Sequence, residues 1–124
     1  MSETHRFEMI GDIALFRPRA SMPLDEAIWL VKSAIESARE RQIRKLMIIT
    51  SDLDGFESPS IASRHLMARE WAGATRGTVQ IAVVAKPEMI DPQKFGVVVA
   101  TNFGAHADTF ATEAEALDWL LATR

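Results

Sequence analysis

Side chains that could carry chemistry are concentrated between residues 50 and 65. This segment contains carboxylates and hydroxyls, followed by a guanidinium and an imidazole: Asp52, Asp54, Ser58, Ser60, Arg64 and His65. The carboxylates could ligate a metal ion, the hydroxyls could carry a phosphate, and the basic side chains could bind an anion.

The aspartates of this segment match a metal-binding loop poorly. A calcium loop needs further oxygen ligands at fixed offsets and a distal glutamate, whereas only Asp52-Leu53-Asp54-Gly55 is present. A turn built on Asp54-Gly55 accounts for both carboxylates. The sequence therefore predicts no metal site here.

The serines lie where a helix is expected to begin. Ser58 has the character of an N-cap and Pro59 that of a first helical residue. Free backbone N–H groups and the helix dipole favour an anion at such a position. A phosphate on Ser58 or Ser60 would be tolerated apart from repulsion by Glu57, and the alternative is that Ser58 only caps the helix.

The two basic residues fall on the flanks of the apolar face of the helix predicted over 59–74. We expect Arg64 to pair with Asp52 or Asp54, with anion binding as the alternative. His65 is expected to be partly buried and hydrogen-bonded to the backbone. The apolar face itself is predicted to bury Ile61, Ala68, Trp71 and Ala72.

Signatures of catalysis are missing from the sequence. No two of His5, His65 and His106 have metal-ligand spacing, and neither a Gly-x-Ser-x-Gly elbow nor a glycine-rich phosphate loop occurs. We therefore predict no catalytic residue, no cofactor and no enzymatic activity.

Phe56 and Trp71 flank the same loop and have two interpretations. They could be ordinary core residues, or they could form the wall of an apolar pocket. The sequence leaves both open.

A buried strand must position this loop. Lys45-Leu46-Met47-Ile48-Ile49 is an apolar run without polar alternation, which indicates a central strand covered on both faces. Ligands of open α/β sheets bind at the carboxyl ends of such strands. The loop over 50–60 is therefore the candidate site.

The other elements follow from apolar periodicity and from turn and cap signals. They are a hairpin turning at Gly11-Asp12, a helix over 23–41, a strand over 79–85, a helix begun by Asp91-Pro92, an edge strand over 107–110, and a last helix begun by a capping box at Thr112. The order ββαβαβαβα predicts an α/β fold with a mostly parallel sheet covered by helices, preceded by an antiparallel hairpin.

Trp29 falls on the polar side of the helix over 23–41. Its ring could lie over Lys32 or Ser33 as a surface residue, or it could belong to a contact with another chain, because tryptophan is enriched among interface anchors. A symmetric homodimer that buries Trp29 is the corresponding prediction.

Length and composition limit the class of protein. The chain has 124 residues, of which 48% are hydrophobic and 25% are charged. We therefore expect one domain over 1–124, and an intrinsically disordered protein is excluded. The net charge of −3 and scattered basic residues argue against nucleic-acid binding. We predict no membrane span and no signal peptide, and the absence of cysteine fits the cytoplasm.

Nearly the whole chain resembles the STAS domains and, more closely, the SpoIIAA-like set of small bacterial proteins, which is grouped with the CRAL-TRIO lipid-binding fold. The resemblance is carried by residues 55–60, 68–72, 94–96 and 110–120. In the anti-sigma-factor antagonists of this family, phosphorylation of a serine at the start of the helix after the central strand switches partner binding. Glu57-Ser58-Pro59-Ser60 stands here in place of the usual Asp-Ser-Ser/Thr-Gly pattern.

Two functions are compatible with these observations. The first is a non-enzymatic STAS-like module that binds a protein partner through the loop over 50–60 and its helix, and could be regulatory. The alternative is a carrier of a small apolar or lipid-like ligand held between the helix over 59–74 and the sheet. A carrier requires an enclosed apolar cavity of several hundred Å³, on the order of the 300–1,000 Å³ typical of ligand pockets.

Overall fold

The computed structural model describes residues 6–122, so His5 lies outside the described residues. Two strands form the N-terminal hairpin, β1 (Glu8–Ile10) and β2 (Ile13–Phe16), and they run antiparallel. The short strand β3 (Ala20–Ser21) and the helix α1 (Leu24–Glu40) follow. The chain then forms β4 (Lys45–Ile49), β5 (Leu53–Asp54), α2 (Ile61–Thr75), β6 (Gln80–Val84), α3 (Phe95–Asn102), β7 (Ala107–Phe110) and α4 (Glu113–Ala122).

The main sheet has the strand order β1-β2-β4-β6-β7, with every pair after the hairpin parallel. The central position of β4 is confirmed. Leu46 and Ile48 face one layer of the core, while Met47 and Ile49 face the other. The apolar run of β4 therefore has no polar alternation because helices cover both of its faces.

The helices divide between the two faces of the sheet. α1 and α2 cover one face, where Val31, Ile35 and Trp71 pack on the sheet. α4 covers the opposite face through Ala116 and Leu120. α3 packs against α2 beyond the sheet edge. The predicted α/β class, with a mostly parallel sheet, covering helices and an N-terminal hairpin, is confirmed.

Two short strands add to the predicted order. β3 and β5 pair in parallel as a separate two-stranded sheet. Asp54 therefore belongs to a strand, not to a turn with Gly55 as predicted. Gly55 has φ of +99°, and a Cβ there would lie 2.7 Å from the backbone N and O of Met22. Only glycine allows this close approach of the loop after β4 to the start of α1.

The start of α2 differs from the prediction. Ser60, not Ser58, is the N-cap, and its Oγ accepts a hydrogen bond of 3.1 Å from the backbone N–H of Ser63. Ile61, predicted to be buried, is 71% exposed as a result, while Ala68 and Trp71 are buried as predicted. Ser58 and Ser60, on either side of Pro59, are both possible N-caps, and the local sequence pattern does not distinguish between them.

The start of α3 is also later than predicted. The helix begins at Phe95, and the Asp91 carboxylate accepts a hydrogen bond of 2.7 Å from the Phe95 N–H. Thr112 caps α4 as predicted, because its Oγ1 accepts a hydrogen bond from the N–H of Glu115, and the same hydroxyl donates to the Glu115 carboxylate. Within residues 6–122, no helix is long and apolar enough to cross a membrane.

Candidate functional site

An apolar groove of about 140 Å³ lies between α1, α2 and the sheet, and it is partly open to solvent. Gly96, Val97 and Ala100 of α3 also line it. Ile81 and Val83 of β6 form its floor. Ile28 and Val31 line it from α1, and Met67 is among the residues that line it from α2. The loops after β4 and β6 border it, so the groove lies toward the carboxyl ends of the two central strands, where the sequence predicted a site.

Trp71 joins the two helical walls of this groove. Its indole is 8% exposed and its Nε1–H donates a hydrogen bond of 3.1 Å to the backbone O of Ile28. The contact satisfies the one polar group of a buried indole and sets α1 against α2. Both interpretations of Trp71 therefore apply, because it is a core residue and also a wall of the groove.

Phe56 and Arg64 shape the opening of the groove. The half-buried Phe56 lines it from the loop after β4. Arg64 donates from Nε to the O of Pro59 at 3.1 Å, from Nη1 to the O of Met89 at 3.1 Å, and from Nη2 to the Oγ of Ser58 at 3.0 Å. One guanidinium thus links the loop before α2 to the segment after β6.

The expected pairing of Arg64 with Asp52 or Asp54 is wrong. All three hydrogen-bond partners of the guanidinium are neutral oxygens. Asp52 lies 3.7 Å from the exposed guanidinium of Arg19 instead. Asp54 lies in β5, which pairs with β3, and Asp52 precedes β5 directly.

A second charged cluster lies at the β7 side of the groove. Lys94 donates from Nζ to Asp108 Oδ1 at 2.6 Å and to the O of Thr109 at 3.1 Å. Its backbone is left-handed, with φ of +52°. The lysine therefore ties the start of α3 to β7.

The predicted site residues separate into three groups. Phe56, Arg64 and Trp71 line the groove, and Ser58 reaches it through its bond to Arg64. Asp52, Asp54 and Ser60 are nearby in the chain but do not line it.

His65 does not join either of these groups. It is exposed, contrary to the expected partial burial, and its ring meets that of Phe103, directly after α3, edge-on with ring centroids 6.2 Å apart. One helical step takes it from the inner face, where Arg64 lies, to the outer face of α2.

Sequence reasoning missed the residues that follow β6. Lys86, Met89 and Ile90 line the groove. The signal was available, because the rule that marks the loop after β4 applies equally to the loop after its parallel neighbour β6. In the part of the chain that the structure describes, no cluster of three or more acidic or histidine side chains could hold a metal ion.

No protein-family model and no curated protein matches this chain. Among solved structures, it is similar to the NMR structure of the protein TM1081, with a TM-score of 0.52 and 14% identity over 99% of this chain and 93% of that one. That likeness shows the fold alone.

Two structures of SpoIIAA are also similar. The unphosphorylated anti-sigma factor antagonist SpoIIAA matches with a TM-score of 0.47 and 16% identity, over 96% of this chain and 99% of that one. The phosphorylated form of this Bacillus cell fate determinant matches with a TM-score of 0.42 and 16% identity, over 93% and 97% of the two chains.

Proposed function

We propose that this protein is a non-enzymatic interaction module, and that a protein partner inserts an apolar side chain into the groove between α1 and α2. The single observation that carries the proposal is the groove itself, which is apolar, partly open and about 140 Å³ in volume. The loop over 50–60 and the segment after β6 supply its rim.

The volume of the groove favours a side chain over a lipid. Pockets for small-molecule ligands typically hold roughly 300–1,000 Å³. An engineered cavity of about 150 Å³ in another protein accommodates benzene. A groove of about 140 Å³ therefore matches one leucine or phenylalanine side chain and is too small for a lipid tail.

The polar side chains of the groove support binding more than catalysis. Arg64, Lys94 and Asp91 are held by internal hydrogen bonds. Thr50 donates its hydroxyl proton to the O of Val84 at 2.9 Å. A nucleophile needs a base within hydrogen-bond reach, and neither serine nor histidine is among the described residues that line the groove.

A second candidate function is the carriage of a small apolar molecule. The apolar lining favours it, since a benzene-sized body would fit. The two functions differ in what remains bound when the protein is purified. A carrier keeps a small molecule, whereas an interaction module keeps a polypeptide.

Native mass spectrometry of the protein from the cells that produce it separates these functions. We expect the wild-type protein to carry an additional polypeptide mass and no small-molecule increment. The groove-filling variant Gly96→Leu should lose this mass, because a Cβ at Gly96 meets only the O of Arg64 at 3.9 Å and is sterically tolerated. A small-molecule increment that Gly96→Leu abolishes would establish the carrier instead.

A further inference from the structure

The charges around the groove are unequally compensated. Three cations and two carboxylates line it, Arg64, Lys86, Lys94, Asp91 and Asp108. Lys94 pairs with Asp108 at 2.6 Å, and the Asp91 carboxylate accepts the N–H of Phe95. Arg64 bonds only neutral oxygens. The groove thus has a surplus of positive charge.

Lys86 is the lining cation without a partner in the described chain. Within residues 6–122 its ammonium makes no hydrogen bond or ion pair, although the residue is half-buried directly after β6. Because Lys86 lines the groove, a carboxylate bound at its rim would give this ammonium a charged acceptor.

The two features together specify a chemical class of occupant. The apolar groove has the size of one leucine or phenylalanine side chain, and the surplus cation lies among its lining residues. An extended peptide can present an acidic side chain one or two residues away from such an anchor. The anchor would supply affinity and the carboxylate would supply specificity.

We propose that the partner segment presents an apolar anchor of leucine or phenylalanine size flanked by acidic residues, and that Lys86 binds the carboxylate. This inference rests on the proposed function of the groove. It assigns to Lys86 the recognition of charge and to the walls formed by Ile28, Met67 and Trp71 the recognition of the anchor.

The test is a titration of the ¹⁵N-labelled protein with three blocked pentapeptides, followed by amide chemical shifts. The first is Asp-Glu-Phe-Glu-Asp, the second is its neutral analogue Asn-Gln-Phe-Gln-Asn, and the third replaces the phenylalanine of the first by serine. We expect the acidic phenylalanine peptide to bind up to about fivefold tighter than the neutral one, with shifts along the groove. The serine peptide should cause no shifts there.

Lys86→Gln should make the acidic and neutral phenylalanine peptides bind equally. Arg44→Gln is the matched control, because it removes the same charge from an exposed residue at the amino end of β4 and should keep the difference. If Lys86→Gln still binds the acidic peptide more tightly than the neutral one, or if the wild type does not, then Lys86 does not bind the carboxylate. The proposed function of the groove would be unaffected by either result.

The remaining outcomes separate this inference from the proposed function. If none of the peptides shifts groove amides, both the inference and the interaction module are wrong. A fourth probe, 3-phenylpropanoate, carries the same chemistry as a free molecule. If it shifts groove amides while none of the peptides does, the groove binds a small carboxylate and the peptide inference is wrong.

Discussion

Two tryptophans of this chain lie in opposite environments. Trp71 is 8% exposed and donates its indole N–H to Ile28, whereas Trp29 is 64% exposed with the Lys32 ammonium 4.7 Å from its ring centroid. The predicted surface position of Trp29 over Lys32 is thus present in the structure. The contrast makes the pair a matched test of what the groove wall contributes to stability.

We predict that Trp71→Phe lowers the free energy of unfolding by about 2 kcal/mol, because the hydrogen bond to the Ile28 carbonyl is lost and the smaller ring leaves a void. Trp29→Phe should change it by less than about 0.5 kcal/mol. Urea denaturation of both variants measures the difference. Equal losses would show that the hydrogen bond between α1 and α2 does not stabilise the groove.

Glu113 makes a contribution to the free energy of unfolding that depends on pH. Arg17 donates two hydrogen bonds to its carboxylate, at 2.6 and 3.0 Å, and these hold the pKa of Glu113 below its ordinary value. A lowered folded pKa means that the stabilisation is complete above the unfolded pKa, about 4.3, and is lost as the pH falls through the folded pKa.

Glu113→Gln should therefore lower stability at neutral pH by about 0.5 kcal/mol, because both side chains are well exposed to solvent. It should also flatten the loss of stability below about pH 4.5. Glu57→Gln, an exposed carboxylate with no ion pair in the described chain, is the control. Thermal melts across this pH range measure both variants, and identical acid profiles for wild type and Glu113→Gln would exclude the ion pair as a contributor.

Sequence reasoning was least successful for individual side chains on α2. Residue types placed Arg64 and His65 near the site, but a helix turns by about 100° per residue. Neighbours in sequence therefore face different surroundings, and only the packing of α2 against the sheet fixes which one enters the groove. Arg64 also bonds to Met89, a partner 25 residues away that no local pattern indicates.

Elements were predicted more reliably than side chains. The unbroken apolar run of β4 and the amphipathic periodicity of α1 are strong signals, and both elements occur where expected. The pairing of β3 with β5 was missed because two-residue strands have no periodicity to detect. Gly55 marks that pairing, since its conformation and its contact with Met22 exclude other residues.

We predict that Gly55→Ala destabilises the protein by about 2 kcal/mol more than Gly104→Ala. Both glycines have positive φ, +99° and +87°, but a Cβ at Gly104 has no heavy atom within 4 Å. The difference therefore isolates the clash with the backbone of Met22 from the conformational cost that the two share. Urea denaturation checks it, and equal losses would contradict the close approach.

At the scale of the whole molecule, the sequence also predicts a symmetric dimer through Trp29. If this prediction holds, Trp29→Ala should shift the solution mass measured by light scattering from dimer to monomer and change the tryptophan emission. Leu121→Ala, another exposed apolar residue, should leave both unchanged. An unaltered mass for Trp29→Ala would exclude the dimer and leave Trp29 as a surface residue.

The central claim is that the groove between α1 and α2 receives the side chain of a protein partner. The most direct measurement is affinity capture with chemical cross-linking from the producing cells, using wild type, Gly96→Leu and Gly73→Leu as baits. Gly96 lines the groove, while Gly73 is an exposed helical glycine outside it with no heavy atom within 4 Å of an added Cβ. We predict that one polypeptide is cross-linked to wild type and to Gly73→Leu and is lost from Gly96→Leu. Capture of the same polypeptide by all three folded baits would contradict the groove as the binding site.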